Sequence, residues 1–483
     1  MMQRKIDIRI LVLLSLIAFT ALLVFSFSTS FLYHIVSDFD QSIFEIIGKN
    51  WSRGYLPYAE TWDSKGPIIF FVNMLGYLFL GGRNGIFLLQ FANLTVCLYY
   101  FYCFLRKRFS WKASLAYTVL SLLSYITICS GGNQVCDYTL LLSAISIFCT
   151  YSWAEQFQDT GRPEHSLAYA FAYGLFFSGS FLSRLSNAAG LCVSVLVVAI
   201  VLMVFRRWQD LLHNALAFLL GFAVLFVPFA VYFAANGIFG EMWYATFTYN
   251  LEYALSSKSS ETIHTTSSFL YSLVYFFSVI SVLIVSILTL IFNPRRRKTG
   301  LIWLSISLFV LCWLYKSYAN ANYAIVYIPF VCVAMSEFRQ LLSKDSRLKA
   351  VQYAVYAVFI LGFINHIRVF TSYYERGEQP YEKMIQGLKP SYKNSFVAYN
   401  CIPDIYLKYD IRPCYRFFVC QDWAIQNGNS LLPKVRETFA TGQAEWILVD
   451  DAEHSQINDI LTDLYWEYRI DKKHHLTLFK RKP

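Results

Sequence analysis

Long apolar runs separated by short basic clusters dominate the chain. The first, residues 10–31, is long enough for a bilayer crossing, which takes about 20 apolar residues, and it follows Arg4, Lys5 and Arg9. Those cations place the N-terminus inside. The apolar stretch is too long for a signal-peptide core and no small-x-small cleavage site follows, so it reads as an uncleaved anchor. Further spans are predicted at 86–105, 113–130, 138–154, 166–183, 188–205, 211–235, 267–292, 300–315, 323–338 and 350–370, giving about eleven crossings.

Charge tests the parity of that count, because every second loop should carry the Lys/Arg excess. The loops assigned to the inside hold Arg106, Lys107, Arg108 and Lys112; Arg162; Arg206 and Arg207; Arg295, Arg296, Arg297 and Lys298; and Arg339, Lys344, Arg347 and Lys349. Only the Arg162 loop is weak, being balanced by Glu155, Asp159 and Glu164. An odd number of spans puts residues 371–483 outside. There, short apolar runs at 395–399 and 446–449, a helix-like stretch at 455–464 and a hairpin near Tyr468 and Leu476 predict a small α/β domain. The expected organisation is a polytopic α-helical membrane domain over 1–370, with a long outer loop at 32–85, and an extracytoplasmic α/β domain over 371–483.

Within that outer loop, Ile43, Phe44, Ile47 and Trp51 share one face of a helix starting near Asp38 or Asp40, an amphipathic pattern suited to a membrane surface. The apolar run 67–80 is too short to span comfortably and reads as a half-embedded or interfacial helix. Counting it as a crossing would reverse every later charge assignment. A second long outer segment is expected at 236–266.

Composition excludes a water-soluble globule: 56% of the 483 residues are hydrophobic and 15% charged, mean hydropathy is +0.42, and ordinary soluble domains carry about a quarter charged residues. The 43 Phe, 35 Tyr and 11 Trp are residues that gather at membrane interfaces and cavity walls. The net charge of +10 is spread over the inside loops instead of one face, so nucleic acid is not an expected partner. Most of the 11 Cys lie in apolar segments. Cys401, Cys414 and Cys420 sit together in the polar tail, with room for one disulfide of unassigned pairing. No Cys-x-x-Cys spacing, P-loop, dinucleotide fingerprint or H-E-x-x-H occurs.

The candidate chemistry lies at the outer ends of the spans. Asp38 and Asp40 are carboxylates at a lipid–water boundary, where partial desolvation suits a general base; the competing role is capping the helix that follows. Residues 51–67 contain turn-setting Gly54, Pro57, Gly66 and Pro67, the aromatic Tyr58, and Asp63 and Lys65. Lys65 could hold an anion there, or the pair could be a weak surface contact. The run Gly131-Gly132-Asn133-Gln134-Val135-Cys136-Asp137 sets Asp137 at another outer mouth. Arg184 ends an apolar helix, where an ionisable residue is functional by default and a snorkelling Arg is the competitor. Lys316, Tyr318, Asn320, Asn322 and Tyr323 form a further outer set. His474 and His475 have no third ligand in view, so no metal site is assigned. Tail aromatics such as Tyr406, Tyr415, Phe417 and Trp423 read as core or as an acceptor path.

Asp40-Gln-Ser-Ile-Phe44, then Gly48, Trp51, Gly54, Pro57-Tyr58 and Trp62-Asp63-Ser-Lys65-Gly66-Pro67, resemble the first outer loop of bacterial GT-C-fold glycosyltransferases. The resemblance is to the protein O-mannosyltransferase-like and lipid A aminoarabinose transferase-like group that uses polyprenyl-phosphate sugars. The resemblance continues through Gly131-Gly132-Asn133, Arg184 and Pro403-Asp404-Ile405-Tyr406, although only the first loop is specific. It implies a lipid-phosphate sugar donor, a glycan, lipid or protein acceptor entering from outside, and an acidic first-loop base, which Asp40 matches better than Asp38. By the same token Lys65, Arg184 and Lys316 are the expected donor-phosphate ligands, and Asp63, Asp137, Tyr58 and Tyr323 the substrate contacts. No cofactor is required, although acids such as Asp38, Asp63 and Asp137 could gather a divalent metal. Two departures stand out. Val135-Cys136-Asp137 replaces the Thr-Glu-Glu frequent in relatives, and no His accompanies Tyr323.

The expected location is the bacterial cytoplasmic membrane. A transporter, flippase or polymerase component for envelope glycans is the alternative. Transporters favour ionisable groups at mid-membrane and repeated halves; here the groups fall at outer mouths and no repeat is visible.

Overall fold

The computed structural model describes residues 7–33, 39–256, 274–316, 321–342, 349–372, 380–419, 422 and 430–483. A helix lies at each of the eleven predicted spans: Ile8–Phe25 (α1), Arg83–Leu105, Trp111–Ile126, Leu140–Thr160, Leu167–Phe181, Ala189–Val204, Trp208–Ala235, Phe277–Phe292, Arg297–Lys316, Phe330–Leu342 and Lys349–Ser372. Between α1 and Arg83–Leu105 come two shorter helices, Phe39–Ser52 (α2) and Pro67–Leu80 (α3), so Arg83–Leu105 is α4. Among the described residues, five helices are long and apolar enough to cross a membrane, or six if the bent pair Ala321–Tyr327 and Phe330–Leu342 is one span. The helix α3 has 14 residues and at 1.5 Å per residue reaches only about 21 Å, short of a hydrocarbon core of about 30 Å.

Local chemistry sets the ends. The Asp7 carboxylate accepts from Arg9 N and Ile10 N and so caps α1. Gly66 precedes Pro67 at the first turn of α3, and Gly81 in the left-handed region (φ 69°) closes it.

Two compact units form. The first comprises residues 1–26, 88–229 and 263–374. It holds most of the long helices, and its largest fully buried side chains include Trp153, Trp303, Tyr151 and Tyr173. At one place in it, charges are buried together: Arg296 pairs with Glu155 and, at 3.1 Å, with Glu337, while Arg108 reaches Glu155 at 3.3 Å. Arg108 also lies 4.7 Å over the Tyr151 ring.

The second unit comprises residues 27–87, 230–262 and 375–483. Its sheet has the order β1 (Phe396–Tyr399), β2 (Trp446–Asp450), β4 (Leu476–Arg481), β3 (Tyr465–Asp471). Strands β1 and β2 are parallel; the other pairs are antiparallel. The segment Asn458–Leu464 is a helix, and Phe396, Val397, Leu448, Val449 and Leu478 are buried. Cys401 and Cys414 are free thiols; Cys420 lies outside the described residues.

In the same unit, α2 packs on α3. A Cβ on Gly48 would stand 2.4 Å from the Asn73 Cβ, so only a glycine allows this approach. The predicted apolar face of α2 (Ile43, Phe44, Ile47 and Trp51) is enclosed, but so are Gln41, Ser42, Glu45, Ile46 and Asn50, so α2 is packed in protein on nearly all sides where an amphipathic surface helix would leave its polar face open. Burying four such side chains contributes on the order of 6–12 kcal/mol before entropy is set against it.

Candidate functional site

In the second unit, the chain leaves α1 through residues 27–33 and is gripped there by Arg83. Its Nε donates to the Ser28 carbonyl at 2.8 Å, Nη1 to that of Tyr33 at 2.7 Å, and Nη2 to that of Phe27. These carbonyls lie just past the C-terminal end of α1, so a guanidinium fork satisfies what water otherwise would. Asp38 lies outside the described residues. Asp40 falls in the first turn of α2 and is half-exposed.

The register of α2 is locked by two further contacts. The Tyr77 hydroxyl of α3 donates to Glu45 Oε1 at 2.9 Å, and burial raises the Glu45 carboxyl above its usual range while that bond opposes the rise. Lys49 pairs with Asp410 at 2.6 Å, and Arg53 reaches the same carboxylate at 3.5 Å. Arg83, Glu45 and Asp410 carried no signal in sequence, because a single charged residue in an amphipathic run reads as solvent-facing.

The loop that follows α2 brings Asp63 and Lys65 together. Asp63 Oδ2 accepts the Lys65 amide at 3.1 Å and lies 3.9 Å from its ammonium, with side chains only 13% and 19% exposed. A half-desolvated ion pair can be shared with a second anion at lower cost than a fully hydrated lysine. Tyr58 supports the loop from beneath. It is fully buried, holds a left-handed backbone (φ 67°), and donates its hydroxyl to the Lys65 carbonyl at 2.9 Å. Its phenol is held well above the ordinary range, by burial first.

Residues 239–256, expected as loop, form a strap of short helices interrupted by a π-turn at Tyr244–Thr248. Asn250 Nδ2 donates from it to the Ser64 carbonyl, between Asp63 and Lys65, at 2.8 Å. Trp62 is clamped on the other side: its amide donates to the Arg416 carbonyl at 2.9 Å, and its ring lies edge-on to Tyr249 and Phe417.

The first unit holds the remaining candidates. Ser130, Gly131, Gly132 and Asn133 take φ values of 45°, 80°, 80° and 52°, a run of left-handed residues that explains the two glycines. This turn carries Gln134 N to Asp137 Oδ2 at 2.9 Å. Gln90 reaches the same oxygen at 3.4 Å, and Asn93 donates to the Asp137 carbonyl at 2.8 Å. Asp137 is buried in the loop between helices, and burial pushes its carboxyl up to about 7, opposed by the Gln134 amide and the Tyr125 hydroxyl. Asn322 joins the cluster by donating to Gln134 Oε1 at 2.6 Å. Arg184 stands 4.0 Å over the Tyr323 ring. Lys316 is the last residue of its helix, and its side chain, with Tyr318 and Asn320, lies outside the described residues. No group of three or more His, Cys, Asp or Glu side chains suited to a metal occurs among the described residues.

Asp40, Tyr58, Asp63 and Lys65 thus belong to one unit, and Asp137, Arg184 and Tyr323 to the other. No protein-family model matches the chain, and no curated protein matches it by sequence. Solved structures do. The crystal structure of ArnT from Cupriavidus metallidurans in the apo state aligns at a TM-score of 0.56 and 15% identity, covering 98% of this chain and 97% of that one. The Archaeoglobus fulgidus oligosaccharyltransferase, crystallised with Zn and sulfate, aligns at a TM-score of 0.44 and 12% identity over 98% of this chain and 73% of that one. The likeness to the ArnT structure shows that the chain has the GT-C fold.

Proposed function

We propose that this chain is an integral membrane glycosyltransferase that moves a sugar from a polyprenyl-phosphate donor to a glycan, lipid or protein acceptor on the extracytoplasmic face of a bacterial cytoplasmic membrane. The observation that carries the reading is that the three motif-matched first-loop residues, Asp40, Asp63 and Lys65, fall in one compact unit of a chain with this fold.

In this reading Asp40 is the base. It takes the proton of an acceptor hydroxyl as the oxygen bonds to the anomeric carbon, and the carbon–oxygen bond to the lipid phosphate breaks on the opposite face, inverting the anomer. The phosphate leaves with its electron pair, so developing negative charge needs cations placed in advance. Lys65 has that role, with Asp63 holding its backbone and ammonium. The resemblance in sequence assigns Arg184 and Lys316 to donor phosphate as well, Asp38 to the catalytic pair with Asp40, and Asp63, Asp137, Tyr58 and Tyr323 to substrate contacts. A donor that cannot leave the bilayer accounts for catalysis by a many-helix protein, and the chemistry asks for no metal.

The test is transfer from radiolabelled polyprenyl-phosphate sugars to membrane acceptors by wild type and Asp40→Asn at matched expression. Loss of a positioned base typically costs a hundredfold or more, so a reduction of about that size is expected in Asp40→Asn. Full activity in that variant removes Asp40 as base. Lys65→Ala should weaken donor binding, and unchanged donor affinity would sink its phosphate role.

A further inference from the structure

The peptide groups on both sides of the Lys65 Cα are pinned by side chains. Before it, the Ser64–Lys65 peptide is held at each end: Asn250 Nδ2 donates to its oxygen at 2.8 Å, and its N–H donates to Asp63 Oδ2 at 3.1 Å. After it, the Lys65 carbonyl accepts the Tyr58 hydroxyl at 2.9 Å. A residue has only two soft backbone dihedrals, so two fixed peptide planes set the direction in which the lysine side chain leaves the chain. A loop at a surface ordinarily gives such groups to water. Here three side chains stand in its place.

Two of these side chains reach the loop from outside it. Tyr58 is fully buried beneath, in a left-handed backbone (φ 67°). Asn250 belongs to the strap 239–256, 186 positions along the chain, and its amide nitrogen also donates to the Ala245 and Thr246 carbonyls at 2.9 and 3.1 Å. Those carbonyls lie in the π-turn Tyr244–Thr248, a kind of turn frequent at functional sites. A side-chain amide has two hydrogens to give. With one directed to Ser64 and one shared within the turn, Asn250 joins the strap to the lysine loop, and a leucine of similar shape could not.

We infer that Asn250 and Tyr58 are positioning residues for Lys65, holding its backbone so that the ammonium stands beside Asp63, at 3.9 Å, before an anion arrives. The inference deepens the transferase reading and rests on it for donor phosphate as that anion. A lysine otherwise carries about 2 kcal/mol of rotamer entropy. Ordered in advance, it loses less freedom when the phosphate binds. Tyr58 then acts on the lysine from below instead of touching substrate.

The test uses full-length protein in lipid nanodiscs, with farnesyl phosphate as the probe and variants compared at matched thermal stability. Asn250→Leu removes the donors, and Tyr58→Phe removes one hydroxyl. Each should weaken binding by about fivefold to tenfold, the weight of one hydrogen bond, and neither should weaken it further in a Lys65→Ala background. A second readout needs no ligand: the rate of reductive methylation of Lys65, followed by peptide mass spectrometry. Released from its setting, Lys65 should react about fivefold faster in both variants, while Lys472, exposed in the β3–β4 turn, keeps its rate. Unchanged methylation, unchanged binding where Lys65→Ala is weakened, or equal losses with and without Lys65 would each overturn the inference. Wild-type affinity in Lys65→Ala sinks the phosphate role of Lys65 alone, because the methylation rates then decide the positioning.

Discussion

Asp137 shows what burial does to an acid in a turn between two helices. Around it stand Gln90, Tyr125, Cys97, Cys129 and Tyr138, none of them a carboxylate or an ammonium. Its carboxyl is pushed from 3.8 to about 7, so ionising it costs more in the folded protein than in the unfolded chain. The favourable contribution is complete below about 4 and is lost as pH rises through about 7, to a limit of roughly 4 kcal/mol. Wild type in detergent should therefore lose thermal stability between about pH 4 and 7, with little further loss above about 8, and Asp137→Asn should flatten that slope. A variant that keeps the wild-type slope would show that Asp137 is not the titrating group. Sequence marked this residue through its place in the Gly-Gly-Asn run. It could not mark Arg83, Glu45 or Asn250, whose meaning lies in carbonyls and hydroxyls contributed by residues far along the chain.

Elements were legible where their own residues determine them. The apolar runs coincide with eleven helices, of which five, or six with the bent pair, are long and apolar enough to cross a membrane among the described residues, while the Ile43, Phe44, Ile47 and Trp51 spacing marked one buried face of α2 and missed that its polar side is buried too. The strap at 239–256 was hidden because it is short, aromatic on several sides and stabilised by partners such as Ser430, which bridges Tyr244 and Glu252. The basic loops hold a second property. Arg296, in the turn Pro294–Arg296, is nearly buried against Glu155 and Glu337, which are 14% and 3% exposed. It ties together helices Leu140–Thr160 and Phe330–Leu342. Removing the cation would strand Glu337 and leave Glu155 to Arg108 alone, so Arg296→Met should cost about 3–5 kcal/mol, read as thermal unfolding in detergent. Adding Glu337→Gln should recover part of that loss, and a single-variant cost below about 1 kcal/mol would show that the ion cluster is solvated.

For the whole molecule, the pattern of apolar runs carried more of the fold than residue identity does, since the ArnT structure shares the architecture at 15% identity. What the pattern could not carry is the grouping of distant segments. Residues 27–87, 230–262 and 375–483 form one unit through contacts such as Trp62 to Arg416 and Arg412 to Glu60, which leave no trace in any local window. The orientation of the chain across the membrane rests on charge alone, and it makes a definite demand. If the eleven-span reading of the charge pattern holds, the loop around Arg295 belongs inside and the β3–β4 turn around Lys472 outside, an odd number of spans then separating the N-terminus from the tail. Both residues are exposed, so cysteines placed there are accessible to a reagent. A membrane-impermeant maleimide added to intact cells, with the unmodified protein as background, should label Lys472→Cys at once and Arg295→Cys only after permeabilisation. The reverse pattern would mean that α3 crosses the membrane as a full span, which would invert every loop after it and remove the outer-face reading of Asp137 and Arg184.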